Sequence, residues 1–230
     1  MGPRFEDRFE AGRFLASRLK HHAGDPSLLV LALPRGGVPV GFEIAQALDA
    51  PLDIFLVRKL GVPGYEELAM GAIASGGVRV LNEEVVSRLN ITRSAVEAVE
   101  EGELCELARR EKTYRGDRER AAIQGRSIIL VDDGLATGAS MRAAVKALRL
   151  QQPASIIVAV PIGSRDTCGH FRNEVDEVVC GDCPEPFYSV GTWYSNFLQT
   201  TDEEVHALLD RAAHRRRAQR VQKQKAFAAV

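Results

Sequence analysis

The 230-residue sequence is short of several things at once: it has one tryptophan, three methionines, four cysteines and almost no net charge, with 30 Lys and Arg against 31 Asp and Glu. That balance supplies no global field to draw the chain to nucleic acid or to a membrane surface. No apolar run approaches the roughly 20 residues of a membrane-spanning helix. The opening residues, Met1-Gly2-Pro3-Arg4-Phe5 and onward, lack the apolar core of a signal peptide, so a cytoplasmic protein is expected. Cys105, Cys168, Cys180 and Cys183 are too few and too uneven for a disulfide framework in a chain of this length. Cys180-Gly-Asp-Cys183 does form a CxxC, and Cys168 with His170 completes a four-ligand set on paper. Because Val178-Val179-Cys180 reads as the end of a buried strand with Pro184 close behind, simple burial is favoured over zinc, and no metal ligand is assigned.

What is present is core-forming. The chain is 45% hydrophobic, enough to bury a full core. Continuous apolar runs at residues 27–34, 52–60, 127–133, 155–163 and 176–182 read as strands, and residues 70–82 as two short strands around Gly76-Gly77. Helical spacing marks residues 5–19, 38–50 and 141–153, and residues 83–115 read as one charged helix with a solvated face. Solid Ile, Leu and Val strands alternating with amphipathic helices predict an α/β fold, a Rossmann-like parallel sheet flanked by helices.

Ligands of such sheets bind beyond the carboxyl ends of the strands. Three of those ends carry chemistry: Pro34-Arg35-Gly36-Gly37, Arg58-Lys59, and Asp132-Asp133 followed by Gly134-Leu135-Ala136-Thr137-Gly138-Ala139-Ser140. Small residues at a helix start let the backbone close round a phosphate, with Thr137 and Ser140 adding hydroxyl donors. The paired carboxylates would repel that phosphate. They suit neighbouring hydroxyls or a magnesium ion, so a sugar diol beside a phosphate fits both halves. Asp133 capping the helix and Arg35 or Arg58 pairing with surface acids are the blander readings.

Residues 129–140 resemble the signature of the type I phosphoribosyltransferases, which bind 5-phosphoribosyl 1-pyrophosphate (PRPP), and the similarity runs over about residues 32–163. The resemblance is nearest to a bacterial branch with few assigned substrates, which shares Phe5-Glu6-Asp7-Arg8 and Phe187-Tyr188-Ser189-Val190-Gly191. It implies that Asp132 and Asp133 hold the ribose hydroxyls rather than the metal, and that Ala136, Thr137, Gly138, Ala139 and Ser140 wrap the 5-phosphate. It further implies that Arg35, Gly36 and Gly37 face the diphosphate and that Arg58 and Lys59 begin a catalytic hood. The implied reaction displaces pyrophosphate from the ribose by a nitrogenous base, with Mg2+ as cofactor. Members acting on 6-oxopurines carry aspartate where this chain has Ala136, which disfavours hypoxanthine or guanine as acceptor. A proton acceptor is then sought in Glu66 or Glu67, on a glycine- and proline-containing loop suited to be a lid.

The expected layout is one domain over residues 1–210, with its core at about 28–180 and a hood made from the N-terminal helix and about 184–201. Phe187, Tyr188, Trp193, Tyr194 and Phe197 in that hood either stack on a base or pack the hood or a homodimer interface. Residues 211–230 form a basic tail in which Arg211, Arg215, Arg216, Arg217, Arg220, Lys223 and Lys225 have no acid among them. The competing function is therefore a PRPP-sensing regulator of the same fold that grips nucleic acid through this tail. A response-regulator receiver, whose acids would follow an early strand, fits poorly.

Overall fold

Apolar runs without alternation bury both faces of a strand, and the central sheet is made from five of them. In the computed structural model, which describes residues 4–228 and side chains as far as residue 218, these are β1 (Leu29–Ala32), β2 (Leu52–Ile54), β6 (Ser127–Val131), β7 (Ser155–Ile162) and β8 (Glu177–Asp182). They pair in the order β2-β1-β6-β7-β8, every neighbour parallel. Helices α1 (Arg8–Arg18) and α2 (Gly37–Ala47) pack together on one face. Their Leu15, Val40 and Ile44 bury with Val30 and Ile129 of the sheet. On the other face α5 (Ala139–Leu150) packs Met141, Ala144, Val145 and Leu148 against Leu130 and Val158. A short helix, α6 (Arg165–Phe171), not anticipated in the sequence, joins β7 to β8 and makes their parallel pairing possible.

A second, antiparallel sheet stands beside the first: β3 (Val57–Val62), β4 (Tyr65–Ala74) and β5 (Val78–Leu81). Residues 52–60, expected as one strand, divide between the two sheets. Phe55 N–H donates to the Ala32 carbonyl of the central sheet at 3.0 Å, whereas Leu56 N–H donates to the buried Ser75 Oγ at 3.0 Å. The expected lid loop is the tip of this sheet, a two-residue Pro63-Gly64 turn with Val62 opposite Tyr65.

Residues 83–115 also divide, into α3 (Glu83–Arg88) and α4 (Arg93–Arg115). Asn90 takes φ 50°, and Thr92 caps α4 by accepting from Ala95 N–H, so the chain turns at a polar site. The face of α4 is not wholly solvated: Val96, Leu107 and Tyr114 bury under β3 and the last helix, α7 (Asp202–Ala228). Beneath them Arg115 Nε donates to Asp53 Oδ1 at 3.1 Å, both side chains buried. The basic stretch continues α7 without a break, its Arg211 guanidinium 4.8 Å from the Phe42 ring centroid on α2. The side chains of Arg220, Lys223 and Lys225 lie outside the described residues. No helix among the described residues is long and apolar enough to cross a membrane.

Candidate active site

Parallel pairing sets Ala32 of β1 opposite Val131 of β6, so the loops that follow leave the same sheet end side by side. Leu33 N–H donates to the Val131 carbonyl at 2.9 Å, and Gly37 N–H donates back to Leu33 at 3.0 Å as α2 begins. Between them Pro34-Arg35-Gly36 bends tightly through a cis peptide at Pro34-Arg35. A Cβ on Gly36 would stand 2.0 Å from Asp133 Oδ2, so only glycine lets this loop close against the acid pair. Two of the three predicted stretches therefore meet directly.

The acids are held from three sides. Asp132 Oδ1 accepts the Asp133 N–H at 2.8 Å. Asp133 Oδ2 accepts from Arg8 Nε at 2.8 Å, and the Asp133 carbonyl accepts from the Tyr194 hydroxyl at 2.6 Å. Arg8 is 9% exposed, its Nη1 donates to the Leu198 carbonyl at 2.7 Å, and its guanidinium lies 4.0 Å from the Phe197 ring centroid. Burial pushes the Asp132 carboxyl well above the usual range, and the adjacent Asp133 charge pushes it further. Asp133 is raised by burial while Arg8 holds it down. Burial, then the Asp133 charge, raises the Tyr194 phenol, which keeps it a donor. The two enclosed carboxyls, raised by burial and only partly offset by Arg8, favour the approach of hydroxyls or cationic charge.

After Asp133 the chain makes one bridge, Leu135 to Gly163, and then turns outward. Thr167 Oγ of α6 donates to the Ala136 carbonyl at 2.7 Å and fixes the start of the loop. Gly138, at φ 73°, caps α5 with no side-chain hydrogen bond of its own, and the Ala139 amide makes only a long contact, 3.5 Å, to Thr137 Oγ1. Left-handed backbone is cheap for glycine and strained for other residues. Thr137, Ala139 and Ser140 are exposed around it. An uncapped helix start ringed by small and hydroxyl side chains has the chemistry of an anion cradle.

The third stretch stands apart. Arg58 and Lys59 lie on β3, where Arg58 Nε donates to Glu103 Oε2 at 2.6 Å and Lys59 Nζ lies 3.4 Å from Glu67. Arg35 Nη1 in turn lies 3.3 Å from Asp202 Oδ1. All three cations expected at the site, Arg35, Arg58 and Lys59, therefore rest on carboxylates, and among the described residues no ion pair joins Arg58 or Lys59 to the acid pair. Glu66 and Glu67 are exposed on β4. Of the hood aromatics, Trp193 and Tyr194 are buried with Phe5, Ala11 and Ile162, whereas Tyr188 is 80% exposed. Packing accounts for the first two.

Arg8, given no role by the sequence, and Tyr194, expected there only to stack on a base or to pack the hood or a dimer interface, both hold Asp133. Both stand in stretches singled out only as shared motifs or hood aromatics, and their meeting needs the Phe5 to Tyr194 bridge that ties residues 4–6 to 193–196. A basic residue in a short charged motif otherwise looks like a solvated helix start.

The geometry agrees with the relatives. Over 208 residues, 90% of this chain, the sequence is 50% identical to "Putative phosphoribosyl transferase Rv0571c" and equally to "Putative phosphoribosyl transferase MT0597", from two strains of Mycobacterium tuberculosis. The chain spans about half, 47%, of the length of those proteins. The crystal structure of TT1426 from Thermus thermophilus is 41% identical and superposes with a TM-score of 0.80, covering 90% of this chain and 97% of that one. Residues 5–188 match the family described as phosphoribosyl transferase domain, and with the acid pair, the glycine loop and the uncapped helix start at one sheet end the chain belongs to that family.

Proposed function

We propose that the protein binds PRPP as its magnesium complex and transfers the phosphoribosyl group to a nitrogenous base, releasing pyrophosphate, as a step of nucleotide metabolism. The observation that carries this reading is the contact of Gly36 with Asp133 beside the exposed loop at 136–140. A ligand that carries hydroxyls next to a phosphate fits both. In this reading Asp132 and Asp133 accept the ribose hydroxyls, while Thr137, Ser140 and the backbone of Ala136, Gly138 and Ala139 receive the 5-phosphate. Arg35 and the Gly36 and Gly37 amides take the diphosphate. Arg58 and Lys59 reach it by exchanging Glu103 and Glu67 for the anion.

The residues present fit a hydrated Mg2+ that keeps its waters and needs few direct protein ligands: the acids on the ribose hydroxyls, both raised by burial despite Arg8 beside Asp133, favour positive charge nearby. When bound, magnesium supplies positive charge to the departing diphosphate. The protein's own share is electrostatic, since positive charge grows on the sugar as negative charge grows on the leaving group. Two carboxylates beneath the ring favour the first, and the three cations with the glycine amides favour the second. The reading is tested by pyrophosphate release from Mg-PRPP against a panel of purines, pyrimidines and pyridine carboxylates, with Asp133→Asn as control. Release with one base, absent in the control, is the expected result. No release with any base, together with no PRPP binding by titration, removes the reading.

A further inference from the structure

Away from the sheet end, three thiols converge. Cys168 on α6, Cys180 on β8 and Cys183 just beyond it bring their sulfurs within 4.8 Å of one another. Cys168 Sγ lies 2.8 Å from Cys180 Sγ, and Cys183 Sγ lies 3.3 Å from it. Cys168 is buried and the other two are half-buried, whereas Cys105 is exposed on α4 and takes no part. His170, the fourth ligand available on paper, is exposed and outside the group.

We propose that Cys168, Cys180 and Cys183 are the three protein ligands of a site for a soft, thiophilic divalent cation of the zinc class, with water in the fourth position. A disulfide uses two sulfurs and leaves a third stranded, whereas a tetrahedral cation uses all three. A zinc-thiolate bond of about 2.3 Å puts neighbouring sulfurs roughly 3.8 Å apart, so loading spreads Cys168 from Cys180 by about 1 Å and Cys183 from Cys180 by about 0.5 Å, within reach of side-chain rotation. Cys180 and Cys183 have the two-residue spacing with which a turn at a strand end wraps such an ion. As each metal-sulfur bond forms, the thiol proton leaves to solvent, and no electron is transferred. A second group of metal-binding type, exposed His21 with half-buried His22 and Glu177, has two histidine-carboxylate contacts that explain it without an ion.

The position gives the site a consequence. Cys168 shares α6 with Thr167, which holds the Ala136 carbonyl of the candidate phosphate loop. Cys183 begins the segment that delivers Tyr194 to Asp133. A bound cation would clasp these two arms together. The inference does not depend on the transferase reading, since neither PRPP nor a base takes part.

The test titrates the reduced full-length protein with Co2+, then displaces it with Zn2+. One equivalent per chain is expected, with thiolate-to-cobalt charge transfer in the near ultraviolet and visible bands of a tetrahedral ion. Zinc should shield three of the four thiols from alkylation and leave Cys105 open. Cys180→Ser and Cys183→Ser, each checked for fold by circular dichroism, should weaken binding beyond the roughly 10- to 100-fold lost when only a hydrogen-bond partner of a ligand is removed. His21→Ala should change nothing. A cobalt spectrum without thiolate bands, or binding lost in His21→Ala and kept in the cysteine variants, overturns the proposal. So does a failure of the reduced, folded protein to bind cobalt, whether or not mild oxidation then removes two thiols as a disulfide.

Discussion

Arg8 Nε donates to Asp133 Oδ2 at 2.8 Å across 125 positions of sequence, and this one bond ties the N-terminal helix to the acid pair at the end of β6. Both side chains are largely enclosed, at 11% and 16% exposure. The site's electrostatics therefore depend on an element that contributes nothing to the central sheet's hydrogen bonds.

Arg8→Met is accordingly expected to destabilise the fold. Leaving an enclosed carboxylate without its cation costs about 3 kcal/mol. For a chain of this length that lowers Tm by roughly 6–12 °C. Adding Asp133→Asn should return at least about half of the loss in a calorimetric melt. A double variant that melts as low as the single one would assign the loss to packing over Phe197 instead.

Asp132→Asn should do the opposite and stabilise the ligand-free protein. The asparagine Oδ1 can still accept the Asp133 N–H while the buried charge is gone. The gain carries a pH signature. A carboxyl whose folded pKa is raised binds its proton more tightly when folded, so its contribution to stability falls as pH rises from about 3.9, the unfolded value, through the raised folded value. The difference in Tm between variant and parent should therefore be near zero below about pH 3.9 and grow above it. A flat difference across a melt series from acid to neutral pH would contradict the assigned burial cost.

Gly36→Ala should separate binding from folding. Its methyl would meet Asp133 Oδ2 at 2.0 Å and push the carboxylate aside. The expected result is at least about a tenfold loss of Mg-PRPP affinity by titration calorimetry, about 1.4 kcal/mol, with the circular dichroism spectrum retained.

Asp53→Ala should be among the more damaging changes remote from the site. Asp53 accepts from Arg115, from the Ile54 amide and from the Ala121 amide at 2.9 Å. Its removal leaves the Ile54 and Ala121 amides without their acceptor and leaves the buried Arg115 guanidinium on Glu111 at 3.4 Å and the Ile54 carbonyl at 3.3 Å, a loss of about 3 kcal/mol in urea unfolding. Arg115→Met with Asp53→Leu should recover much of that, since apolar replacement removes both charges together.

The parallel sheet was legible because buried strands announce themselves as unbroken apolar runs, and the acid pair because carboxylates at the end of such a run are hard to explain by packing. Gly36 and Gly138 were legible for the same reason, since loops that close on an anion tolerate little bulk. The split of residues 52–60 was hidden, because Phe55 and Leu56 are equally apolar whichever sheet receives their amides, and only Ser75, 19 positions on, decides it. Arg8 was hidden more deeply. Its partners are Asp133 and Leu198, and nothing within reach of a local pattern distinguishes it from the other arginines of the first helix.

The bond from Arg8 to the Leu198 carbonyl spans 190 positions. On the ribosome, a nascent chain that has emerged only as far as β7 has its glycine loop and its acid pair, yet lacks Thr167, which fixes the loop at Ala136, and the segment of residues 193–196 on which Phe5 docks. The Arg8 and Tyr194 contacts to Asp133 can therefore form only after residues 193–198 have been made, when two distant segments of the chain meet.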